Sequence, residues 1–149
     1  MTMLVVDELE TTLSQTFTVF KNNRLDLVAI RPYILSHNSP AGTFTFKLLD
    51  GATTLFSDTF TAAELKTDIS TANDYVRIWK NFSITVPTFL ENGDYTLELS
   101  SSGYTYSDAS YLGWIKEHEH LTNVITNDDA TSALQFPRSF QLLTRQDSI

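Results

Sequence analysis

The chain has 149 residues, a length that predicts a single domain over residues 1–149 with a core large enough to fold without covalent cross-links. It contains no cysteine, which excludes thiol nucleophiles, thiolate metal sites and disulfide frameworks. The formal net charge is -8 at pH 7 and the 10 Lys and Arg are scattered, so we expect no nucleic acid and no anionic membrane among its partners.

An apolar segment opens the sequence at residues 1–6. No positive charge precedes it, and Asp7 and Glu8 follow at once, so the pattern does not predict a signal peptide. No apolar run approaches the roughly 20 residues of a membrane-spanning helix. The segment predicts either the first strand of the chain's own sheet or a strand added to the sheet of a partner. The partner-docking hypothesis concerns Met3, Leu4, Val5 and Val6.

Alternation of apolar and hydroxyl-rich positions predicts β-strands along most of the chain. In one example, Phe44, Phe46 and Leu48 share one face of a strand, and Asp50-Gly51 follows as a hairpin turn. The predicted strands are Gln15–Phe20, Leu25–Ile30, Thr43–Leu49, Thr54–Phe60, Tyr75–Trp79, Phe82–Val86, Tyr95–Leu99, Tyr111–Lys116 and Ser139–Thr144. We expect Pro87 to end the strand that begins at Phe82.

Two segments depart from the strand pattern. The run from Thr61 to Glu64 has the spacing of a helix capping box and predicts one short helix, with Leu65 as its packing residue. The polar stretch Leu121–Ser132 predicts a long loop. About eight strands with one short helix predict an all-β, two-sheet antiparallel sandwich of the jelly-roll kind. Its predicted core contains Phe17, Leu27, Phe44, Phe46, Leu48, Ile84, Leu97, Leu99 and Leu142.

The segment Ser101–Tyr111 has the composition of a binding loop. Tyrosine offers stiff, amphipathic contact area at a low entropic cost, and Ser, Gly and Asp supply adaptable hydrogen bonds; the same set suits stacking on a sugar ring. The candidate ligand-binding residues are Tyr104, Tyr106, Asp108 and Tyr111. The alternative is that Tyr104 and Tyr106 cover the rim of a sheet.

Two tryptophans follow strand patterns. Gly113 inside the pattern predicts a bulge or a close approach of another backbone segment. Trp114 is then either a platform for a ligand or a residue that shares the buried face with Leu112, and the buried interpretation applies to Trp79 as well.

Metal binding and catalysis find little support. His118 and His120 share one strand face, but a third ligand would have to come from His37 or a distant carboxylate. Asp128 and Asp129 offer oxygen ligands for Ca²⁺ without the spacing of an EF-hand loop. The sequence has no nucleophile elbow, zinc-protease motif, P-loop or dinucleotide fingerprint. We therefore predict no metal site, no cofactor and no enzyme activity.

A resemblance adds a functional expectation. The segment Phe89–Leu99, with its N-G-D-Y-x-L-x-L hairpin strand, and the later strand Tyr111–Lys116 resemble the galactose-binding-like or carbohydrate-binding-module-like jelly rolls. Domains of that kind occur in phage tail and capsid-accessory proteins. The resemblance implies a non-catalytic binding or structural role and transfers no functional residue.

These observations lead to two functional hypotheses. The first is a structural or attachment subunit of a phage-like virion, located in the virion and assembling with other virion subunits or with itself as a homo-oligomer. It explains the absence of both a signal peptide and cysteine in a fold common outside cells. The second is a carbohydrate-binding module that recognises surface glycans through the Tyr-rich loop.

Overall fold

The fold is built almost entirely from strands. The computed structural model describes residues 4–20, 25–65, 75–117, 121–122, 124–126, 133–134 and 138–144. In chain order the strands are β1 (Leu4–Glu8), β2 (Thr12–Phe20), β3 (Leu25–His37), β4 (Thr43–Asp50), β5 (Thr53–Phe60), β6 (Tyr75–Trp79), β7 (Phe82–Leu90), β8 (Gly93–Ser102), β9 (Tyr111–Glu117), β10 (Leu121–Thr122), β11 (Val124–Thr126), β12 (Ala133–Leu134) and β13 (Phe140–Thr144).

The long strand β3 organises a six-stranded sheet. Its first half pairs with β7 and β13, and its second half pairs with β6 and β9. Strand β1 pairs with β9 and lies at the edge. A five-stranded sheet has the order β11-β2-β8-β4-β5, and β10 and β12 form a separate two-stranded ladder. Every described pairing is antiparallel except that of β11 with β2.

Aromatic residues join the two large sheets. Phe46 on β4 stacks on Phe82 of β7 with ring centroids 4.8 Å apart, and it meets the indole of Trp114 on β9 edge to face at 5.9 Å. Phe17 on β2 packs against Phe140 on β13 at 5.3 Å. The predicted all-β antiparallel sandwich is therefore confirmed, and its layout is consistent with a jelly roll.

Most of the predicted core is buried. Fully or almost fully buried are Phe17, Leu27, Phe44, Phe46, Leu48, Leu97 and Leu99. Ile84 and Leu142 are only partly buried and pack against the margin of the core, so the prediction was wrong to place them inside it. Trp114 is completely buried, and its indole N–H donates to the carbonyl oxygen of Ser139 at 2.8 Å.

Two strands run further than predicted because prolines do not end them. Strand β7 continues through Pro87 to Leu90. Its partner β3 shifts register between Leu27 and Ala29, so Pro87 lies in a stretch without a direct partner and no ladder donor is lost. Strand β3 also continues through Pro32, which lies opposite Phe140 of β13, to His37.

The turn at Asn92-Gly93 crosses between sheets. Strand β7 belongs to the six-stranded sheet, whereas β8 pairs with β2 and β4, so β8 does not form the predicted hairpin with the strand before it. The Tyr95 hydroxyl accepts the Glu91 N–H at 2.9 Å and donates to the Glu91 carbonyl at 3.0 Å. A tyrosine hydroxyl that returns to the backbone a few residues upstream is the tyrosine corner of β-sandwiches.

The predicted helix is short, and the predicted loop is partly wrong. Residues Ala62–Leu65 form a 3₁₀ turn with Leu65 buried, and the Glu64 N–H donates to the Thr61 carbonyl rather than to its hydroxyl. In the predicted loop Leu121–Ser132, β10 pairs with β12 and β11 adds to β2.

The described part of the chain contains no helix with the length and apolarity to cross a membrane.

The N-terminal segment forms part of the chain's own sheet. Strand β1 pairs with β9 from Leu4 opposite Glu117 to Glu8 opposite Gly113. This agrees with the alternative in which the segment is the first strand of the chain's own sheet. Met3 lies outside the described residues. Docking of a partner by Leu4, Val5 and Val6 stays a prediction.

Candidate functional site

One face of the six-stranded sheet carries a row of aromatic side chains. Along β3, Ile34 and Ser36 are buried in the sandwich, so the alternate residues Tyr33 and His37 lie on the outer face. Cross-strand register places further rings beside them. We call this surface the aromatic face; its residues are Tyr33, His37, Tyr75, Trp79, Tyr106 and Tyr111.

Two stacked pairs form the side of the aromatic face along β3 and β6. Tyr33 lies opposite Trp79, with ring centroids 4.4 Å apart and planes at 10°. His37 lies opposite Tyr75, with centroids 4.1 Å apart and planes at 12°. Such pairs stabilise a sheet by about 0.5–1.5 kcal/mol beyond the area that they bury. Because the two rings of each pair stack, their orientation is set by contacts within the chain itself.

Tyr111 continues the row onto β9. It lies directly opposite His37, with the ring centroids 5.3 Å apart. A side-chain hydrogen bond also joins it to Tyr75, and burial is the main reason why the pKa of Tyr111 is raised. On its other side the Tyr111 ring lies 5.7 Å from that of Tyr106. Four rings on four chain segments therefore form one continuous line.

Two carboxylates, those of Asp108 and Glu8, lie at the Tyr106 end of this line of rings. The Tyr106 hydroxyl donates to Asp108 Oδ1 at 2.6 Å and lies 3.3 Å from Glu8 Oε2 on β1. The hydrogen bond to Asp108 raises the pKa of Tyr106, because ionisation would set a phenolate against a carboxylate. The hydroxyl is therefore a fixed donor with acidic neighbours. The structure thus brings together three of the predicted site residues: Tyr106, Asp108 and Tyr111.

Tyr104 is placed elsewhere. Its ring meets Phe44 of the core edge to face at 5.1 Å. Its hydroxyl donates to the Leu9 carbonyl at 2.7 Å and accepts the Leu112 N–H at 3.2 Å. It therefore bridges two backbone groups at the end of the ladder between β1 and β9. Desolvation by burial raises the pKa of Tyr104. This residue supports the sheet rather than the aromatic face, which is the alternative that the sequence left open.

The loop that carries Tyr106 is held by the β3–β4 connection. Asn38 Nδ2 donates to the Ala109 carbonyl at 2.5 Å, and Asn38 itself has a left-handed φ of 55°. Gly42 has φ 111°, and a Cβ there would lie 2.9 Å from the backbone of Gly103. The two loops pack backbone to backbone, which requires glycine at this point. The position of Tyr106 is thereby determined by its loop.

A second row across the same face has charged ends. Arg77 on β6 lies opposite Leu35, Leu35 lies opposite Gly113, and Gly113 lies opposite Glu8 on β1. Both Arg77 and Glu8 are exposed. The row therefore has a cation at one end, a carboxylate at the other and an uncharged centre.

Gly113 shows the close approach that its position in a strand predicted. A Cβ on this residue would collide with Cγ1 of Val6 and lie 3.2 Å from the Asp7 carbonyl oxygen. The glycine therefore lets β1 lie close against β9, and the Val6 side chain occupies the space where a Gly113 side chain would lie.

The four side chains weighed as metal ligands belong to segments for which we predict no metal site. His118, His120, Asp128 and Asp129 lie outside the described residues. Within the described ranges, no group of three or more His, Cys, Asp and Glu side chains is placed to hold a metal ion. His37 Nε2 lies 3.4 Å from the Asn38 amide, and its ring is stacked on Tyr75.

Sequence reasoning missed most of the aromatic face. The sequence pattern does not point to Tyr33 or His37 as residues of this surface, and it favours a buried position for Trp79. Trp79 is in fact half-buried on the outer face. The period-2 pattern placed these rings on one side of their strands, but only the register of β6, β3 and β9 sets them beside each other.

No protein-family model, no curated protein and no solved structure matches this chain. No residue role is therefore carried over from a relative, and the functional assignment depends on the chain's own geometry.

Proposed function

We propose that this chain is a non-enzymatic structural or attachment subunit that assembles through protein–protein contacts, with the aromatic face as its docking surface. The observation that carries the proposal is the composition of one outer sheet face: Tyr and Trp rings around an exposed Arg77. Trp, Tyr and Arg are the residues most enriched at the energetic centres of protein interfaces.

The contacts that hold the aromatic face in place support the same proposal. In the two stacked pairs, Tyr33 with Trp79 and His37 with Tyr75, the rings are nearly parallel across two strands, so each ring sets the orientation of its neighbour. The loop that carries Tyr106 is held by Asn38 and Gly42. A preformed surface loses little conformational entropy on binding, which favours association.

We further propose that the assembly is a phage-like virion, in which the chain serves as a capsid decoration or tail accessory protein. This part of the proposal is supported by the resemblance of Phe89–Leu99 and Tyr111–Lys116 to jelly rolls found in such particles, and by a cysteine-free β-sandwich composition.

Sedimentation of the tagged chain from lysate of its source tests the proposal. An assembly subunit sediments with particles far larger than the 16.8 kDa chain. The double variant Trp79→Ala, Tyr75→Ala should stay with the slowly sedimenting fraction while its circular dichroism is unchanged. The matched control is Phe56→Ala on β5 of the other sheet, which removes a half-buried ring away from this face. Wild-type chain that never enters a large particle would contradict the proposal.

A second candidate function is glycan recognition at the acidic end of the face. The observation that favours it is the grouping of Tyr106, Tyr111 and Asp108, which combines ring surface with a carboxylate that hydroxyl groups can approach. Affinity for one sugar at such a small site is expected to be weak.

Calorimetry against a glycan panel tests this alternative. Tyr106→Ala and Tyr111→Ala should each abolish binding, whereas Tyr33→Ala, on the same face beside Trp79, should leave it unchanged. Sugar binding that survives both changes would exclude this site, and release of reducing ends from a bound polysaccharide would contradict the proposal of no enzyme activity.

A further inference from the structure

The charged row on the aromatic face has a charged side chain at each end, and the carboxylate of Glu8 accepts one hydrogen bond, from the Tyr106 hydroxyl at 3.3 Å. Ion pairs of the described residues join Asp7 to Lys116 and to Arg138, and neither Arg77 nor Glu8 takes part in one. They lie three strand spacings apart, which is about 14 Å at about 4.8 Å per strand, so they do not pair within one chain. An exposed arginine in a chain of net charge -8 is therefore open to an external carboxylate.

The centre of the row suits close packing. Leu35 is 6% exposed, and the Val6 side chain occupies the space that a Gly113 side chain would take, so the middle of the row is apolar and uncharged. The neighbouring row runs from Tyr75 through His37 and Tyr111 to Tyr106. An interface core of this kind is depleted in charge and rich in aromatic residues.

We propose that the occupant of the aromatic face is a second copy of this chain, packed face to face about a two-fold axis. An axis parallel to the strands, between β3 and β9, reverses the order of strands across the interface. It sets Arg77 of each copy over Glu8 of the other, and Tyr75 of each over Tyr106 of the other. The two ion pairs follow from one self-complementary row, because its charges are opposite and lie at equal distances from the axis.

This inference rests on the proposed function, since it names an occupant for the same surface. The patch spans about four strands, so the buried area falls at the low end of specific interfaces, and the dimer should be reversible and dependent on concentration. Each Arg–carboxylate pair adds orientation as well as attraction.

A charge-swap experiment tests the pairing by sedimentation equilibrium of the purified full chain. Arg77→Glu sets two carboxylates against each other twice in the dimer, and Glu8→Arg does the same with two cations. Each variant alone should be monomeric at concentrations where wild type dimerises. An equimolar mixture of the two variants should restore association, because each contact then joins opposite charges again. The double variant R77E/E8R should restore it as well.

The matched controls lie on the outer face of the other sheet. Lys47 and Glu98 are direct cross-strand neighbours there, so Lys47→Glu and Glu98→Lys change charge equally without touching the aromatic face. Both controls should dimerise as wild type does. Circular dichroism and melting of all variants confirm that each chain is folded, which is expected because Arg77 and Glu8 are exposed.

The outcomes separate the inference from the proposed function. Wild type that stays monomeric up to about 1 mM, or a mixture of R77E and E8R that does not associate, overturns the second copy as occupant. If such a chain still enters large particles from its source, and Trp79→Ala, Tyr75→Ala abolishes this, the proposed function stands with a different partner. A charge-restored dimer that never enters a larger particle supports the inference and contradicts the proposed function.

Discussion

Tyrosine hydroxyls in this fold satisfy either backbone groups or carboxylates. Those of Tyr95 and Tyr104 each accept one backbone N–H and donate to one carbonyl. That of Tyr106 donates to carboxylates at the surface. The first kind pairs backbone groups that no neighbouring strand satisfies, so its loss leaves those groups unpaired in a partly buried setting. The second kind orients a side chain that faces solvent.

Tyr104→Phe is expected to lower the free energy of unfolding by about 1–3 kcal/mol, because the Leu112 N–H and the Leu9 carbonyl lose their shared partner. Urea denaturation measures the change. Tyr106→Phe is the matched control, since it also removes one hydroxyl, but one whose hydrogen bonds are exposed, and it should leave the urea midpoint nearly unchanged. Equal stability of Tyr104→Phe and wild type would show that the inserted hydroxyl does not stabilise the ladder.

Gly113→Ala is expected to destabilise the edge of the six-stranded sheet by about 1–3 kcal/mol, because its Cβ collides with Val6 and β1 must move away from β9. Hydrogen exchange of the β1 amides, together with thermal melting, measures the effect. The double variant Gly113→Ala, Val6→Ala removes the colliding methyl and should recover part of the loss. If the single variant melts at the same temperature as wild type, the close approach of β1 to β9 at Gly113 does not contribute to the free energy of unfolding.

Sequence could separate the two kinds of tyrosine only in part. Tyr104 and Tyr106 are two positions apart, which on a regular strand would put them on one face. The segment between β8 and β9 is irregular, so the Tyr104 ring turns to Phe44 and the Tyr106 ring turns to Tyr111. That divergence depends on the loop's backbone, which is held by a separate loop through Asn38.

At the scale of elements, period-2 alternation was a dependable guide wherever one strand face meets the core. Strand β4 shows this, with Phe44, Phe46 and Leu48 buried as predicted. Alternation was less useful at β7, where Ile84 follows the same pattern but lies in the stretch that β3 bypasses through its register shift. A pattern reports which side a residue faces and not whether another sheet covers it.

Phe46→Ala is expected to lower the free energy of unfolding by about 3–5 kcal/mol, because the ring fills the space between Phe82 and Trp114 and leaves a cavity. Leu97→Ala should cost about 2–5 kcal/mol for the same reason. Ile84→Ala, which removes a partly buried side chain, should cost less than about 2 kcal/mol. A larger loss for Ile84→Ala than for Phe46→Ala, by chemical denaturation, would contradict this layout of the core.

For the whole molecule, we expect the free energy of unfolding to fall at high pH because four tyrosines then ionise. The pKa of each of Tyr95, Tyr104, Tyr106 and Tyr111 is raised in the folded chain. The unfolded chain ionises at about pH 10, so the stabilisation from the neutral phenols is complete below that pH and is lost as the pH rises through the folded values. The urea midpoint should therefore fall between about pH 9 and about pH 12.

The double variant Tyr95→Phe, Tyr104→Phe provides the comparison for this pH dependence. It is less stable than wild type near neutrality because it lacks the backbone hydrogen bonds, but its midpoint should fall less steeply with pH since two titrating groups are gone. A wild-type midpoint that is flat over the same range, or an unchanged slope in the variant, would show that these phenols do not couple folding to pH.

The sequence by itself determined the class of fold, the position of most strands and the identity of the inner core, because alternation and composition act locally along each strand. Tertiary structure decided which outer faces meet. The stacking of Tyr33 on Trp79, the line from Tyr75 to Tyr106 and the opposed charges of Arg77 and Glu8 all depend on the register of strands far apart in the chain. Register arises from the packing of the whole sheet, and a single strand's pattern does not contain it.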